Sequence, residues 1–390
     1  MLFLPKIRPK KMQFSQIIGQ SRVKDRLQNM LRSERVPHAL LFCGCAGCGQ
    51  LPMALAMAHA LLCRERAATG GDEACGHCRD CKMSDGAVHP DLHFVFPVIN
   101  KNKDSENSSV SDDFLPQWRE QLADTPYFDL KDWLARMGDD KKQAAIFRSE
   151  ANAILSKLSI VASQGGARVV IVWLPELMGA EPANALLKIL EEPTPNTYFL
   201  LVSERDDLLL ETIRSRTQRI EFPPLGEAEV AAALEAAHHV DPDAARSLAH
   251  AAEGSYTEAL HRLRVGDDSE EFFEMFVQLM RLAYARKVKD LKLWSEQVAA
   301  WSRNRQRDFL DYCGRALREN FVYNFHRPEL NFETADESAF SRKFAPFINE
   351  RNVWGIFHEI EQAEQEIRQN ANSKIVLFDF CLKIIVLLTK

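Results

Sequence analysis

The stretch Gly44-Cys45-Ala46-Gly47-Cys48-Gly49-Gln50-Leu51 constrains this chain more than any other. Its glycines stand at the spacing of GxxxxGK[ST], a loop whose backbone N–H groups curl around phosphate oxygens between a buried strand and a helix. Ala39-Leu40-Leu41-Phe42 supplies the apolar strand before it, and Met53 to Leu62 supplies the Ala/Leu-rich helix after it. The chemistry that accompanies such a loop is missing. Lys would place charge on the terminal phosphates and Ser/Thr would hold Mg²⁺, whereas this chain has Gln50 and Leu51. Gly44, Gly47, Gly49, Gln50 and Leu51 therefore read as a degenerate nucleotide loop, with an ordinary glycine-rich turn as the alternative.

At 390 residues the chain is long enough for two or three domains, and 46% hydrophobic residues provide for real cores. A net charge of −6 gives no global attraction to nucleic acid or to an anionic membrane. The apolar start of Met1 to Lys11 is too short, and its charges come too late, for a secretory signal. The apolar run Ile375 to Leu388 is interrupted by Asp379 and Lys383 and falls short of the ~20 residues that span a bilayer. A cytoplasmic protein with a buried terminal helix and no membrane contact is expected.

Of nine cysteines, Cys63, Cys75, Cys78 and Cys81 fall in a C-x11-C-x2-C-x2-C pattern around a polar, glycine-containing segment. Two-residue spacers let thiolates converge on one ion, and Cys63 at the preceding helix end completes a closed Cys₄ site of the structural Zn²⁺ type. His77, His89 and His93 are alternative ligands, an iron–sulfur cluster is the alternative cofactor, and disulfides fit poorly with a reducing compartment. Cys43, Cys45, Cys48, Cys313 and Cys381 lie scattered elsewhere.

Asp91 to Val98, Val169 to Val172 and Phe199 to Val202 read as further strands, with helices at Ile154 to Ala162 and Ala183 to Glu192 between them. Strands alternating with helices give an α/β fold with a parallel sheet covered on both faces. Residues 100–142, polar at first and aromatic later, read as a surface insertion. After Pro223-Pro224 the chain reads as helical.

Ile18-Gly-Gln20, Pro37 to Phe42, the degenerate loop, the four-cysteine module, Asn184 to Pro193 and Ser215-Arg216-Thr217, in this order and spacing, resemble the delta-prime family of bacterial clamp-loader subunits. The resemblance covers about the first 260 residues, and Asn370-Ala-Asn372 before an apolar last helix extends it toward the end of the chain. It implies an AAA+ type α/β domain over 1–222 with the zinc module at about 63–81 and the surface insertion at about 100–142. A helical lid over 223–265 and an all-α collar over 266–390 follow. It also implies gamma/tau and delta partners in a hetero-pentameric ring. Such a ring opens the sliding clamp and places it on primed DNA for DNA polymerase III.

Active relatives end their second nucleotide-site strand with Asp-Glu, where this chain has Trp173-Leu174, and carry Arg in a Gly-Ser-x-Arg pattern, where it has Thr257. Together with Gln50 and Leu51 these replacements remove charge neutralisation, metal binding and water activation, so no hydrolysis in cis is expected and ATP belongs to neighbouring subunits. The family's Ser-Arg-Cys corresponds to Ser215-Arg216-Thr217, which implies that Arg216, with Ser215, is an arginine finger acting in trans. An ion pair of Arg216 with Glu211 or Glu221 is the plainer reading, and Arg214 and Arg219 are nearby alternatives. An active gamma/tau-like ATPase with an unorthodox site and a zinc-dependent DNA-binding protein are the competing functions. Arg303 to Arg318 would serve the latter, or form a solvated helix face balanced by acids.

Overall fold

The computed structural model describes residues 13–100, 108–138, 144–159, 166–325, 335–369 and 371–388. The segment Met1 to Lys11, the early insertion at 101–107, the helix end at Ala162 and Asn370 lie outside them. The chain divides into two units, Met1–Leu260 and His261–Lys390.

The first unit is built on strands β1 (Ala39–Gly44), β2 (Leu92–Val95), β3 (Arg168–Trp173), β4 (Thr197–Ser203) and β5 (Gln218–Phe222), which form one sheet in the order β2-β3-β4-β1-β5. Every pairing is parallel, with Leu41 opposite Leu201 and Arg219, and Ile171 opposite Phe94 and Leu200. Because side chains alternate along a strand, each strand feeds two cores. Leu40, Phe42, Ile171 and Leu200 join one face and Leu41, Val170, Val172 and Phe199 the other. This two-sided burial explains the uninterrupted apolar runs.

Helices α1 (Ser21–Arg32), α2 (Gln50–Leu62), α3 (Arg64–Thr69), α4 (Arg79–Asp85), α5 (Leu115–Asp124) and α6 (Leu130–Met137) precede β3, as does α7 (Arg148–Ser159). Helix α8 (Ala180–Glu191) and the single turn α9 (Glu211–Arg214) flank β4, and α10 (Glu227–His238) packs on α11 (Pro242–Ala251). Helix α2 is buried along its whole length against β3 and β4, so its Ala/Leu composition reflects contact all round rather than an amphipathic face.

The insertion is not a surface excursion in its described part. Phe114, Trp118, Phe128 and Trp133 are buried and belong to the same core as β1 and α2. Trp118 stacks on Phe96 at 4.2 Å and meets Trp133 edge-on at 5.1 Å. The polarity of the segment's beginning hid the aromatic cluster that anchors its end.

The second unit contains most of α12 (Tyr256–Tyr284) with α13 (Val288–Ala299), α14 (Arg303–Tyr323), α15 (Ala335–Phe344), α16 (Val353–Arg368) and α17 (Ser373–Leu388). Phe272, Phe276, Leu279, Trp294 and Val298 form its core with Phe380 and Ile384 of α17. The terminal helix α17, expected to be buried, buries only one face and leaves Ile375 and Val386 exposed, and among the described residues no helix is long and apolar enough to cross a membrane. The basic stretch of α14 is largely neutralised: Arg305 pairs with Glu271, Arg307 with Glu364 and Arg318 with Glu319.

Candidate functional site

The glycine loop leaves the carboxyl end of β1 and turns into α2. Gly47 (φ +78°) and Gly49 (φ +99°) occupy the left-handed region, and Gly49 caps α2. The carbonyls of Cys45, Gly47 and Cys48 and the Gln50 side chain are occupied by the chain itself. Gln50 is 4% exposed and donates from Nε2 to the Cys45 carbonyl at 2.7 Å, and Gln20 Nε2 donates to the Cys48 and Pro223 carbonyls at 3.0 and 2.7 Å. At Gly47 the loop is covered: Tyr256 N donates to the Gly47 carbonyl at 3.1 Å, and a Cβ on Gly47 would meet Ser255 Oγ at 2.4 Å and Thr257 N at 2.7 Å. Thr257 is therefore buried against the loop. Cys45 and Cys48 are disulfide-bonded across this turn, a pairing that their apparent scatter in the sequence concealed.

The end of β3 is apolar. Trp173 packs on Trp118 and Phe128 with centroids 5.3 and 5.0 Å apart, and Leu174 is buried beside it in a left-handed conformation. Glu176 does not face this site as a free base, because its Oε1 accepts from the backbone N–H groups of Glu204 and Arg205 at 2.9 and 3.1 Å. Glu204, just beyond β4, has its carboxyl pushed up to about 8 by burial, with the charges of Glu176 and Asp129 adding to the effect.

The four cysteines converge. Cys63 lies between α2 and α3, Cys75 and Cys78 precede α4, and Cys81 lies within it. Their sulfurs all lie within 4.8 Å of one another, with Cys63 to Cys78 at 4.0 Å and Cys75 to Cys81 at 3.8 Å. A tetrahedral ion with Zn–S of about 2.3 Å has sulfur–sulfur edges of about 3.8 Å, so these two edges are compatible with a metal held by the four sulfurs. Backbone N–H groups of Arg66 and Cys75 point at Cys63 Sγ, that of Cys78 at Cys75 Sγ and that of Cys81 at Cys78 Sγ, each at 3.4 Å, as anionic sulfur acceptors require.

The histidines considered as ligands serve elsewhere. His77 bonds Glu65 and the Cys75 carbonyl, both at 2.8 Å. His89 accepts from Asp91 N at 3.1 Å through Nδ1, which leaves the Nε2 proton of the neutral ring facing buried Asp80 at 3.5 Å. Asp80 in turn holds Arg64 at 2.9 Å, so this buried pair braces α4 behind the cysteines. His93 is kept neutral by burial, with a pKa lowered to about 4.

Arg216 follows α9 and lies two residues before the start of β5. Its Nη2 lies 2.5 Å from Glu191 Oε1 at the end of α8, and Nη1 donates to the Thr212 carbonyl at 2.9 Å and to Ser215 Oγ at 3.5 Å. The partner is neither Glu211 nor Glu221. Arg219 is committed to Asp206 at 2.9 Å and to Cys43 Sγ at 3.2 Å. Since Leu40 pairs with Gln218 and Gly44 with Phe222, the glycine loop and Arg216 stand at opposite ends of the sheet. They are separated by four residues of strand, about 13 Å.

A family model described as DNA polymerase III, delta subunit, matches residues 19–226. A DNA polymerase III subunit delta' from Bacillus subtilis is 30% identical over 69% of this chain and 66% of its own length. The Escherichia coli subunit delta' is 29% identical over 49% of this chain and 44% of its own. This chain belongs to the DNA polymerase III delta-prime family. A solved DNA polymerase III gamma subunit-related protein from Thermotoga maritima aligns with 92% of the chain and 97% of its own length, at 13% identity and a TM-score of 0.36. The chain thus spans less than two thirds of the length of the curated delta-prime relatives it matches.

In this delta-prime family member, two contributors to the site escape sequence reasoning. Tyr127, from the insertion, accepts from Ile18 N at 3.1 Å and meets Tyr256 edge-on at 5.0 Å. It ties the insertion to the segment that covers the loop. Strand β5, which sets the position of Arg216, shows only alternation at Ile220 and Phe222, a sheet-edge signature easily lost between charged neighbours.

Proposed function

We propose that this chain is a non-hydrolysing, AAA+ type accessory subunit of the DNA polymerase III clamp loader. In this reading residues 1–222 form the α/β domain, 223–265 the lid and 266–390 the collar that joins gamma/tau and delta subunits in a ring. Family membership supports the assignment to replication, and the ring acts on the sliding clamp and primed DNA in the cytoplasm. The observation that carries the mechanism is the separation of loop and arginine across the sheet. An arginine about 13 Å of strand away from its own loop serves a different nucleotide, that of a neighbour.

The degenerate loop supports the same division of labour. Gln50 is spent on the Cys45 carbonyl, Leu51 is buried, and the end of β3 offers no carboxylate for Mg²⁺ or water. Arg216, planar and permanently charged, stabilises the charge that develops on a neighbour's transferred phosphate, and Ser215 orients it. Zn²⁺ held by Cys63, Cys75, Cys78 and Cys81 supplies rigidity only, since four sulfurs leave no position for a reacting water. Trp354, 77% exposed, and Ile375, 69% exposed, give the helical unit apolar surface for subunit contacts.

Titration of the isolated chain with a fluorescent ATP analogue tests the reading. No Mg²⁺-dependent binding is expected, while rings reconstituted with motor subunits hydrolyse ATP in response to clamp and primed DNA. Tight Mg²⁺-dependent binding by the isolated chain, or failure to co-purify with clamp-loader subunits, would overturn it.

A further inference from the structure

We infer that Cys45 and Cys48 form a thiol–disulfide exchange site, built into the glycine loop, whose substrates are low-molecular-weight thiols and disulfides. The two sulfurs are bonded, with Cα atoms 5.8 Å apart. They differ in access: Cys45 is exposed, whereas Cys48 is 0% exposed. Cys48 also immediately precedes Gly49, the N-cap of the 13-residue helix α2. The Cys48 Sγ lies 3.8 Å from the Gly254 carbonyl, which accepts from the Cys48 thiol once the bond is opened. Exchange requires an accessible sulfur to be attacked and a bonded partner sulfur to depart, and the loop provides one of each.

Other cysteines of this unit do not compete for the role. Cys43 is buried in β1 against Arg219 and the carbonyls of Leu41 and Ile220, and burial pushes its thiol up. The four clustered cysteines are free of disulfides and face one another. Disulfides in reducing compartments are characteristically transient and redox-sensing, which suits a loop relieved of phosphate binding. The inference stands independently of the replication reading.

In the reducing direction a small thiolate attacks Cys45 Sγ, the Cys45–Cys48 bond breaks, and Cys48 leaves as a thiolate that takes a proton from water. A second small thiolate then attacks the external sulfur of the mixed disulfide, releasing a small disulfide and the Cys45 thiolate, which is protonated. Two electrons pass from two small thiols to the protein, and the reverse sequence uses a small disulfide as oxidant.

The test equilibrates the full-length wild-type chain in glutathione buffers and then alkylates it differentially, with each cysteine localised by mass spectrometry. The dithiol-to-disulfide ratio of Cys45 and Cys48 is expected to rise tenfold for each tenfold rise in squared reduced glutathione over glutathione disulfide, with metal content constant. In Cys48→Ser, a glutathione adduct should accumulate on Cys45 at least tenfold above that on Cys48 in Cys45→Ser. Independent alkylation of both cysteines at every ratio, or equal adducts on the two variants, would overturn the assignment. The wild-type titration decides even if a variant fails to fold.

Discussion

Arg216 Nη2 stands 2.5 Å from Oε1 of Glu191, so the cation assigned to a neighbour's nucleotide is held by a carboxylate from the end of α8. Both side chains are more than one third exposed, and such a pair contributes about 0–1 kcal/mol. In the proposed reading, a triphosphate approached across an interface has only that weak a partner to displace.

Arg216→Ala is therefore expected to leave folding and ring assembly intact while lowering clamp- and DNA-stimulated hydrolysis severalfold. The loss falls short of the ~10³–10⁵ attributed to an isolated finger, because other interfaces keep their own. Glu191→Gln should raise that rate by no more than about fivefold, the equivalent of ~1 kcal/mol, and Gln50→Ala should change it little. Steady-state ATPase assays on rings checked by gel filtration decide: wild-type rates with Arg216→Ala reduce the residue to a surface ion pair.

The cysteine module has almost no core of its own. Cys63, Ala74 and Cys81 are the buried members of its cluster, with Cys75 and Cys78 beside them. In the proposed reading a metal supplies the cohesion that apolar burial does not. One Zn²⁺ per chain is expected by elemental analysis under reducing conditions. Chelation should expose residues 63–81 to protease while the far-ultraviolet circular dichroism of the α/β core persists. Full zinc retention by the Cys78→Ser, Cys81→Ser double variant would contradict this.

Trp118 is fully buried among Phe96, Trp133, Phe128 and Trp173. Trp118→Ala is expected to cost about 3–5 kcal/mol in urea denaturation. Its Nε1 has no hydrogen-bond partner among the described residues, so Trp118→Phe discards an unsatisfied donor along with the volume and should cost much less. Equal losses from the two substitutions would mean that the indole makes a specific interaction that phenylalanine cannot replace, so that its Nε1 donor is satisfied after all.

How much of this was legible in the sequence follows physical lines. β1 and β3, with the apolar middle of β4, announce themselves because burial on both faces leaves few polar interruptions, and the four cysteines because ligand spacing is local. The Cys45–Cys48 bond is local too, yet nothing in composition separates it from the other scattered thiols. Glu191 meets Arg216 only because α8 and α9 pack together, a relation that no spacing encodes. The insertion misled because its polar beginning and its buried tryptophans average to a surface composition. Arg216 itself was legible only through family resemblance, as its exposure and charge are those of any surface arginine.

Glu204 makes stability depend on pH in a direction opposite to an ordinary ion-paired carboxylate. Its folded pKa is raised from 4.5 to about 8, so the folded chain holds a proton that the unfolded chain has released. The contribution is fully present below about 4.5 and is lost as pH climbs through about 8. Glu150, raised to about 6 by burial, acts with the same sign over a lower window. Glu204→Gln mimics the neutral carboxyl at every pH, so its advantage over wild type in urea midpoint should grow from pH 5.5 to pH 8.5, leaving the Glu150 slope in place. A midpoint difference that stays constant across that range would show that Glu204 is ionised already at the acidic end, and that the carbonyl and carboxylate environment beyond β4 is wetter than its burial implies.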